Sequence, residues 1–365
     1  MNIMKRIIRV AIVLAASILA GTQALAQEVY VECGRHHVQG IACDEEAGRM
    51  YFSFTTSFVK TDMDGRVLGS VEHIQGHLGA LTFNKADRKV YASLECKDDV
   101  IGAGLSDFAK GRSMFYIAII DVDRIDRVGM DSEDNDAFRI VCVKEATKDY
   151  HQAGFGPDGR KYEHFYGCSG IDGVTIAPKL GRKGGKDFLY VAYGIYGDAS
   201  RDDNDCQILL RYDIRKLNGY SGTVRFGEFY DKGPDKPLDK YFVYTGNTNW
   251  GVQNLAYDPF SGKIFMFVYK GSKQRFENYD AFCFDVAAKP GKSYVPGIPY
   301  DTSRHKVVGL AGDPVRGIRF KYGSTGVSPL ADGRFCISEP GRNESTGLQY
   351  SQTRVYSWDG KTFVR

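Results

Sequence analysis

His36, His37 and Gln39, then His77, then Asp172, then Asn249, Trp250 and Gln253 stand at or just before the starts of apolar, strand-like runs. A second set, Glu95, Tyr193, Lys270, Glu339 and Arg342, stands at or beside the ends of the runs that follow. Histidine and carboxylate side chains are the usual proton carriers near neutral pH. Trp and Tyr offer flat faces, and Asn and Gln offer amides, to a hydroxyl-rich ligand such as a glycan. Two chemistries fit these types. A hydrolase would use paired carboxylates from Asp172, Glu95 and Glu339. A uronate lyase would move a proton with His77 or His36 and Tyr193, and would neutralise the substrate carboxylate with Arg342 or Lys270. His77, Asp172, Glu95 and Tyr193 are therefore candidate catalytic residues. His36, His37, Gln39, Asn249, Trp250, Gln253, Lys270, Glu339 and Arg342 are candidate ligand contacts. The same rim also suits a binding or interaction module without catalysis, and the sequence leaves both readings open.

These residues meet only if the runs that carry them form a ring, and a repeat says that they do. Gln39-Gly40-Ile41-Ala42-Cys43-Asp44 followed by Gly48-Arg49-Met50-Tyr51 matches Gln253-Asn254-Leu255-Ala256-Tyr257-Asp258 followed by Gly262-Lys263-Ile264-Phe265, without a gap. Weaker copies begin at His77, at Ile171 and at Ser324. Each copy has a third run, mostly ending in Asp: Asp62, Asp121, Asp213, Asp285 and Asp359. A fourth run then leads to the next copy. Five antiparallel four-stranded units in series predict an all-β chain folded as a β-propeller. Six or seven blades remain open if the stretches 124–166, 195–206 or 286–316 hide a further unit. The run from Glu28 to Cys33 is expected to close the ring beside Arg354 to Trp358, which removes an open sheet edge.

In such a ring the starts of the inner strands and the ends of the second strands share one face, so the two sets of polar residues line one channel mouth, the default place for a ligand. Bland roles compete with each assignment. Gln39 and Gln253 occupy equivalent positions and can tie neighbouring blades together. Asp172 can cap backbone N–H groups beside Gly170 and Gly173. Adjacent residues of a strand point to opposite faces, so at most one of His36 and His37 faces the channel.

The segments His36-His37-Val38-Gln39-Gly40-Ile41, Gly76-His77-Leu78-Gly79, Gly167-Cys168-Ser169-Gly170-Ile171-Asp172-Gly173 and Val252-Gln253-Asn254-Leu255 resemble a family of secreted bacterial β-propeller proteins. The resemblance covers most of the chain after the leader. It implies fold and export, and it supplies no reaction and no catalytic residue.

Residues 1–26 read as a signal peptide: Lys5, Arg6 and Arg9, an apolar run from Val10 to Ala20, and Ala24-Leu25-Ala26 as the cleavage site. A single propeller domain, 27–365, is expected to act in the periplasm or outside the cell as a monomer, with no membrane anchor after cleavage. Of 48 basic residues the leader holds three, so the remainder carries 45 basic against 45 acidic residues. That balance argues against a nucleic-acid partner. Eight cysteines at wide spacings, with no C-x-x-C, lead us to expect at most one or two disulfides and no zinc site of the Cys/His type. No cofactor is demanded. Calcium is an option at Asp202, Asp203, Asn204 and Asp205 or at Asp131, Glu133, Asp134 and Asp136, although neither run has EF-hand spacing.

Overall fold

The turns between the first two strands of a unit explain why the repeat is legible. Asp44 accepts a hydrogen bond from the backbone N–H of Ala47, and Asp258 accepts from Phe260 and Ser261. Four residues after each Asp, Gly48 and Gly262 adopt φ of 62° and 68°, a left-handed conformation that glycine tolerates best. The third-strand aspartates do related work. Asp62 accepts from Asp64 and Arg66, Asp213 from Lys216, Asp285 from Ala287, and Asp359 from Lys361 and Thr362.

A computed structural model describes residues 28–105, 109–310 and 315–365, so residues 1–26, read above as a signal peptide, lie outside the described residues. The chain is a five-bladed β-propeller. Blade 1 is Gly40–Asp44, Arg49–Ser53, Phe58–Asp62 and Val67–Glu72, and blade 2 is His77–Asn84, Lys89–Cys96, Met114–Asp121 and Phe138–Cys142. Blade 3 is Cys168–Pro178, Asp187–Ile195, Cys206–Tyr212 and Asp239–Tyr244, and blade 4 is Thr248–Asp258, Lys263–Lys270, Ala281–Asp285 and Arg316–Ile318. Blade 5 is Val327–Pro329, Arg334–Arg342 and Gln349–Trp358, with Glu28–Glu32 as its outer strand. Successive strands pair antiparallel within each blade, and alternate side chains of neighbouring blades fill the layers between them.

Among the described residues the long insertions form no sixth blade. Instead they reach back and extend the blade before them. Met130–Asp131 pairs with Val67–Glu72, Gly222–Thr223 with Phe138–Cys142, and His305–Val308 with Asp239–Tyr244. Each covers an edge that would otherwise present unpaired N–H and C=O groups.

Ring closure follows the expected strand but a different register. Glu28 lies opposite Arg354 and Glu32 opposite Tyr350. The stretch up to Trp358 is taken by the chain's own end, because the turn at Asp359-Gly360 brings Phe363–Val364 back against Ser357 and Trp358. The N-terminal strand occupies what remains of that edge. All eight cysteines are free thiols, and seven of them are buried, as small hydrophobes are.

Candidate functional site

The innermost strands approach each other closely at the waist of the channel. A Cβ on Gly40 would lie 2.7 Å from Cα of Ala80, which excludes any side chain there. Hydrogen bonds fix this ring. The Ser53 hydroxyl donates to the carbonyl of Gly79 (2.6 Å) and that of Ser93 to the carbonyl of Asp172 (2.6 Å). The Asn254 amide donates to the carbonyls of Gln39 (2.9 Å) and Ser324 (3.0 Å). The ladders of blades 2, 3 and 4 shift register at this level, between Leu78 and Leu81, between Ile171 and Val174, and between Val252 and Asn254. A bulge breaks strand alternation and re-aims side chains. Here the bulges turn Asp172 and Gln253 into the mouth.

The mouth is a cavity of about 260 Å³, lined by His36, His37, Gln39, His77, Glu95, Asp172, Trp250 and Gln253 among the candidates, and by Thr55, Lys97, Ser169 and Tyr269. Ile101 and Leu105, from the loop after the second strand of blade 2, form an apolar wall. Both members of the His36-His37 doublet reach it, because they precede the strand and escape its alternation. A larger groove of about 480 Å³ runs past Lys263, Asp285, Lys289 and Arg316, but none of its charged side chains is buried.

Glu95 stands directly opposite His77 in the ladder, so both side chains share one face. Glu95 is 4% exposed. Lys97, two residues on and hence on the same face, brings Nζ to 3.0 Å from Oε2 of Glu95 and 3.6 Å from Oδ2 of Asp99, and donates to the carbonyl of Ser169 (3.3 Å). Gly170 makes room for the carboxylate: a Cβ there would lie 1.8 Å from Oε1 of Glu95. Asp172 accepts from Nε2 of Gln253 at Oδ2 (3.1 Å), and the Gln39 amide lies 2.7 Å from Nε2 of His37. One donor atom each from His77, Glu95 and Asp172 lie within 4.8 Å of one another.

Burial and charge set the protonation states. Burial first, and then the neighbouring Glu95 carboxylate, raises Asp172 well above the ordinary aspartate value. Burial raises Glu95 against the pull of Lys97. Burial alone would lower Lys97, but the carboxylates of Glu95, Asp99 and Asp172 outweigh it and raise the ammonium. Burial, then Lys97 and His37, holds His77 down to about 3. The site at neutral pH thus presents a neutral imidazole, a charged lysine and a carboxyl pair biased toward holding a proton.

One consequence is measurable in acid. The unfolded chain protonates His77 near its ordinary value, whereas the folded chain does so only near pH 3. The stability due to a neutral His77 is therefore complete above the unfolded value and is lost as pH falls through this window. At pH 5 the loss is about 2 kcal/mol. Urea denaturation at pH 7 and pH 5, with a chelator present, should show a smaller acid loss in His77→Gln than in wild type by that amount. Equal losses in both proteins would remove the basis for a neutral, half-buried His77.

Five candidates are not in the cavity, and strand alternation explains the two largest departures. Along the second strands, Ser53 and Ser93 correspond to Ala192 and Ser338, so Thr55 and Glu95 correspond to Gly194 and Pro340. Tyr193 and Glu339 stand one residue short of the rim position and face the layers between blades. Tyr193 is fully buried in the layer beside blade 3, and its hydroxyl donates to Asp149, which also pairs with Lys240. Glu339 is held by Arg354, Arg365 and Tyr356. Lys270 pairs with Asp280 (3.1 Å), Arg342 donates to the carbonyl of Gly347 (3.1 Å), and Asn249 packs on Gly197. Lys97 and Ser169 enter the site without having been assigned a role. The period-two spacing of Glu95 and Lys97 was the available signal for the first.

Five members of the acidic runs considered for calcium are engaged by other groups. Asp203 pairs with Arg201 (2.8 Å) and accepts from Tyr300 (2.6 Å). Asp205 meets Lys273 (2.7 Å) and Arg275, and Asn204 accepts from Lys273 (2.6 Å). Asp131 meets His73 (2.8 Å), and Glu133 accepts from the N–H of Phe226 (2.7 Å).

No family model and no curated protein matches the chain. Solved structures similar to it include a protein of unknown function from Bacteroides caccae, 10% identical, covering 80% of this chain and 86% of that one with a TM-score of 0.34. A gluconolactonase from Xanthomonas campestris is 10% identical, with 92% of each chain covered and a TM-score of 0.33. The Dos1 propeller is 9% identical, covering 87% of this chain and 78% of that one with a TM-score of 0.33. At these values the likenesses carry no argument about chemistry.

Proposed function

We propose that the channel mouth binds a neutral, hydroxyl-rich ligand of the glycan class and acts on it by general acid–base chemistry, with Asp172 as acid and Glu95 as its carboxylate partner. The convergence of His77, Glu95 and Asp172 within 4.8 Å, inside the cavity, carries this reading. Trp250, 38% exposed, and Tyr269 supply faces for stacking, and Gln39 and Gln253 supply amides. An acidic sugar is disfavoured. Lys97 is committed to Glu95, while Lys270 and Arg342, the cations that a uronate would need, lie elsewhere. A binding-only role fits a flat, neutral aromatic surface better than it fits a buried carboxyl pair. The carboxyl spacing also bears on mechanism. Inverting glycosidases hold their carboxyls about 6.5–9.5 Å apart to admit a water, and retaining ones about 5–5.5 Å; here one oxygen of each carboxyl lies within 4.8 Å of the other's, below both spacings and nearer the retaining one. The leader supports export, so the reading includes a monomeric protein beginning at Gln27 in the periplasm or outside the cell.

A thermal-shift screen with neutral and uronate oligosaccharides tests the site, because a ligand that binds the folded state raises its apparent stability by mass action. Neutral oligosaccharides should raise the melting temperature of wild type and of Tyr193→Phe, and should leave Asp172→Asn unmoved. A shift confined to uronates, or one that survives Asp172→Asn, would overturn the assignment.

A further inference from the structure

We propose that His77, Glu95 and Asp172 together bind one divalent transition-metal ion, of the zinc or cobalt type, at the channel mouth. The proposal rests on the same cavity but not on the identity of the organic ligand; an ion there would take the place of the proton that Glu95 and Asp172 otherwise hold, so the ion-bound site would not use Asp172 as the acid.

Three observations carry it. The first is spacing: one donor atom from each side chain lies within 4.8 Å of the other two, so a single ion could contact all three. The second is that two donors are left without a full hydrogen bond, although the backbone N–H of Ile171 also bears on the Glu95 carboxylate. Nδ1 of His77 and Oε1 of Glu95 are buried atoms without a hydrogen-bond partner. Leaving such atoms unsatisfied costs free energy, and buried polar groups in folded proteins are nearly always paired. The third is how the remaining oxygens are used. Lys97 engages Oε2 of Glu95 and Gln253 engages Oδ2 of Asp172, so each carboxylate is oriented through one oxygen and offers the other. Metal-binding carboxylates are commonly oriented by hydrogen bonds of this kind.

The donor set points to the class of ion. Calcium and magnesium take oxygen ligands, whereas an imidazole nitrogen beside two carboxylates suits zinc and its transition-metal neighbours. The cavity beside these donors would give such an ion room for a ligand hydroxyl or a water, as in sites that use a metal as a Lewis acid.

The test uses the chelator-treated full chain and cobalt(II) as the probe, followed by its visible absorption and by equilibrium dialysis, with zinc and calcium as competitors. One cobalt per chain is expected. Zinc should displace it, and calcium should not at equal concentration. His77→Ala and Glu95→Gln, checked for fold by circular dichroism, should each weaken binding at least ~10-fold. His73→Ala, at an exposed histidine paired with Asp131, should leave it unchanged. Absence of stoichiometric binding to wild type, equal displacement by calcium, or full affinity in folded His77→Ala would overturn the proposal. A glycan-induced thermal shift that persists while cobalt fails to bind would reject the metal alone and leave the organic site standing.

Discussion

Lys97→Met should destabilise the folded chain by about 3–5 kcal/mol at pH 8, the cost of removing one partner from a buried ion pair. Glu95 and Lys97 are both buried, and Nζ lies 3.0 Å from the carboxylate. Without the ammonium, Glu95 faces Asp172 and Asp99 with no compensating charge nearby. It can escape by keeping a proton, and burial already raises it in that direction. A carboxyl raised in the folded state favours folding below its unfolded value, and that advantage fades as pH rises. The loss in Lys97→Met should accordingly shrink at pH 5 and grow toward pH 8. Adding Glu95→Gln to Lys97→Met should return most of it, since a pair replaced by neutral groups costs far less than a pair with one member removed. Urea denaturation of the two single variants and the double variant at both pH values gives the cycle. A loss under ~1 kcal/mol in Lys97→Met at pH 8, or a double variant no better than the single, would show that the pair is solvated and that the pocket is not the low-dielectric site described.

The pair also marks the limit of what could be read from the chain itself. The Asp and Gly turns repeat, so the blades were legible and five of them were counted, with six or seven left open by the long insertions; the gathering of the inner-strand starts at one mouth was legible too. Exposure to that mouth is decided by parity, and parity is fragile. Glu95 and Thr55 occupy the rim position, whereas Tyr193 and Glu339, chosen by similar reasoning, stand one residue away and face a buried layer or a neighbouring strand. One residue of slip moves a side chain to the other face of a strand. Asp172 and Gln253 reach the mouth through bulges, which leave no clear mark in hydrophobic patterning. The backward reach of the insertions was equally hidden, because a two-residue strand such as Met130–Asp131 has no periodicity to detect. Lys270 and Arg342 were judged by charge alone, and each found a local partner on its own blade.

Removing residues 27–33 should lower stability by about 3–6 kcal/mol, from the loss of two buried valines and of a strand's ladder bonds. Val29 and Val31 are nearly fully buried in the layer shared by the first and last blades. The strand runs antiparallel to Gln349–Trp358 over five residue pairs, and Glu28 meets Arg354 (2.9 Å) at its start. Deleting it exposes both the apolar layer and an unpaired edge, whereas the outer edges of blades 1, 2 and 3 are covered by insertions. The closure joins residues more than three hundred positions apart, so it ties the first and last blades together as no local contact can. Should the truncated chain fail to fold, Val29→Ala with Val31→Ala keeps the ladder and removes only the packing, at about 1–3 kcal/mol for each. A synthetic peptide carrying residues 27–33, added to the truncated chain, should then raise its melting temperature in a concentration-dependent way, because it binds only the folded ring. An unchanged melting temperature after truncation would mean that Phe363–Val364 and the rest of blade 5 hold the ring shut alone, and that the N-terminal strand decorates an edge instead of closing it.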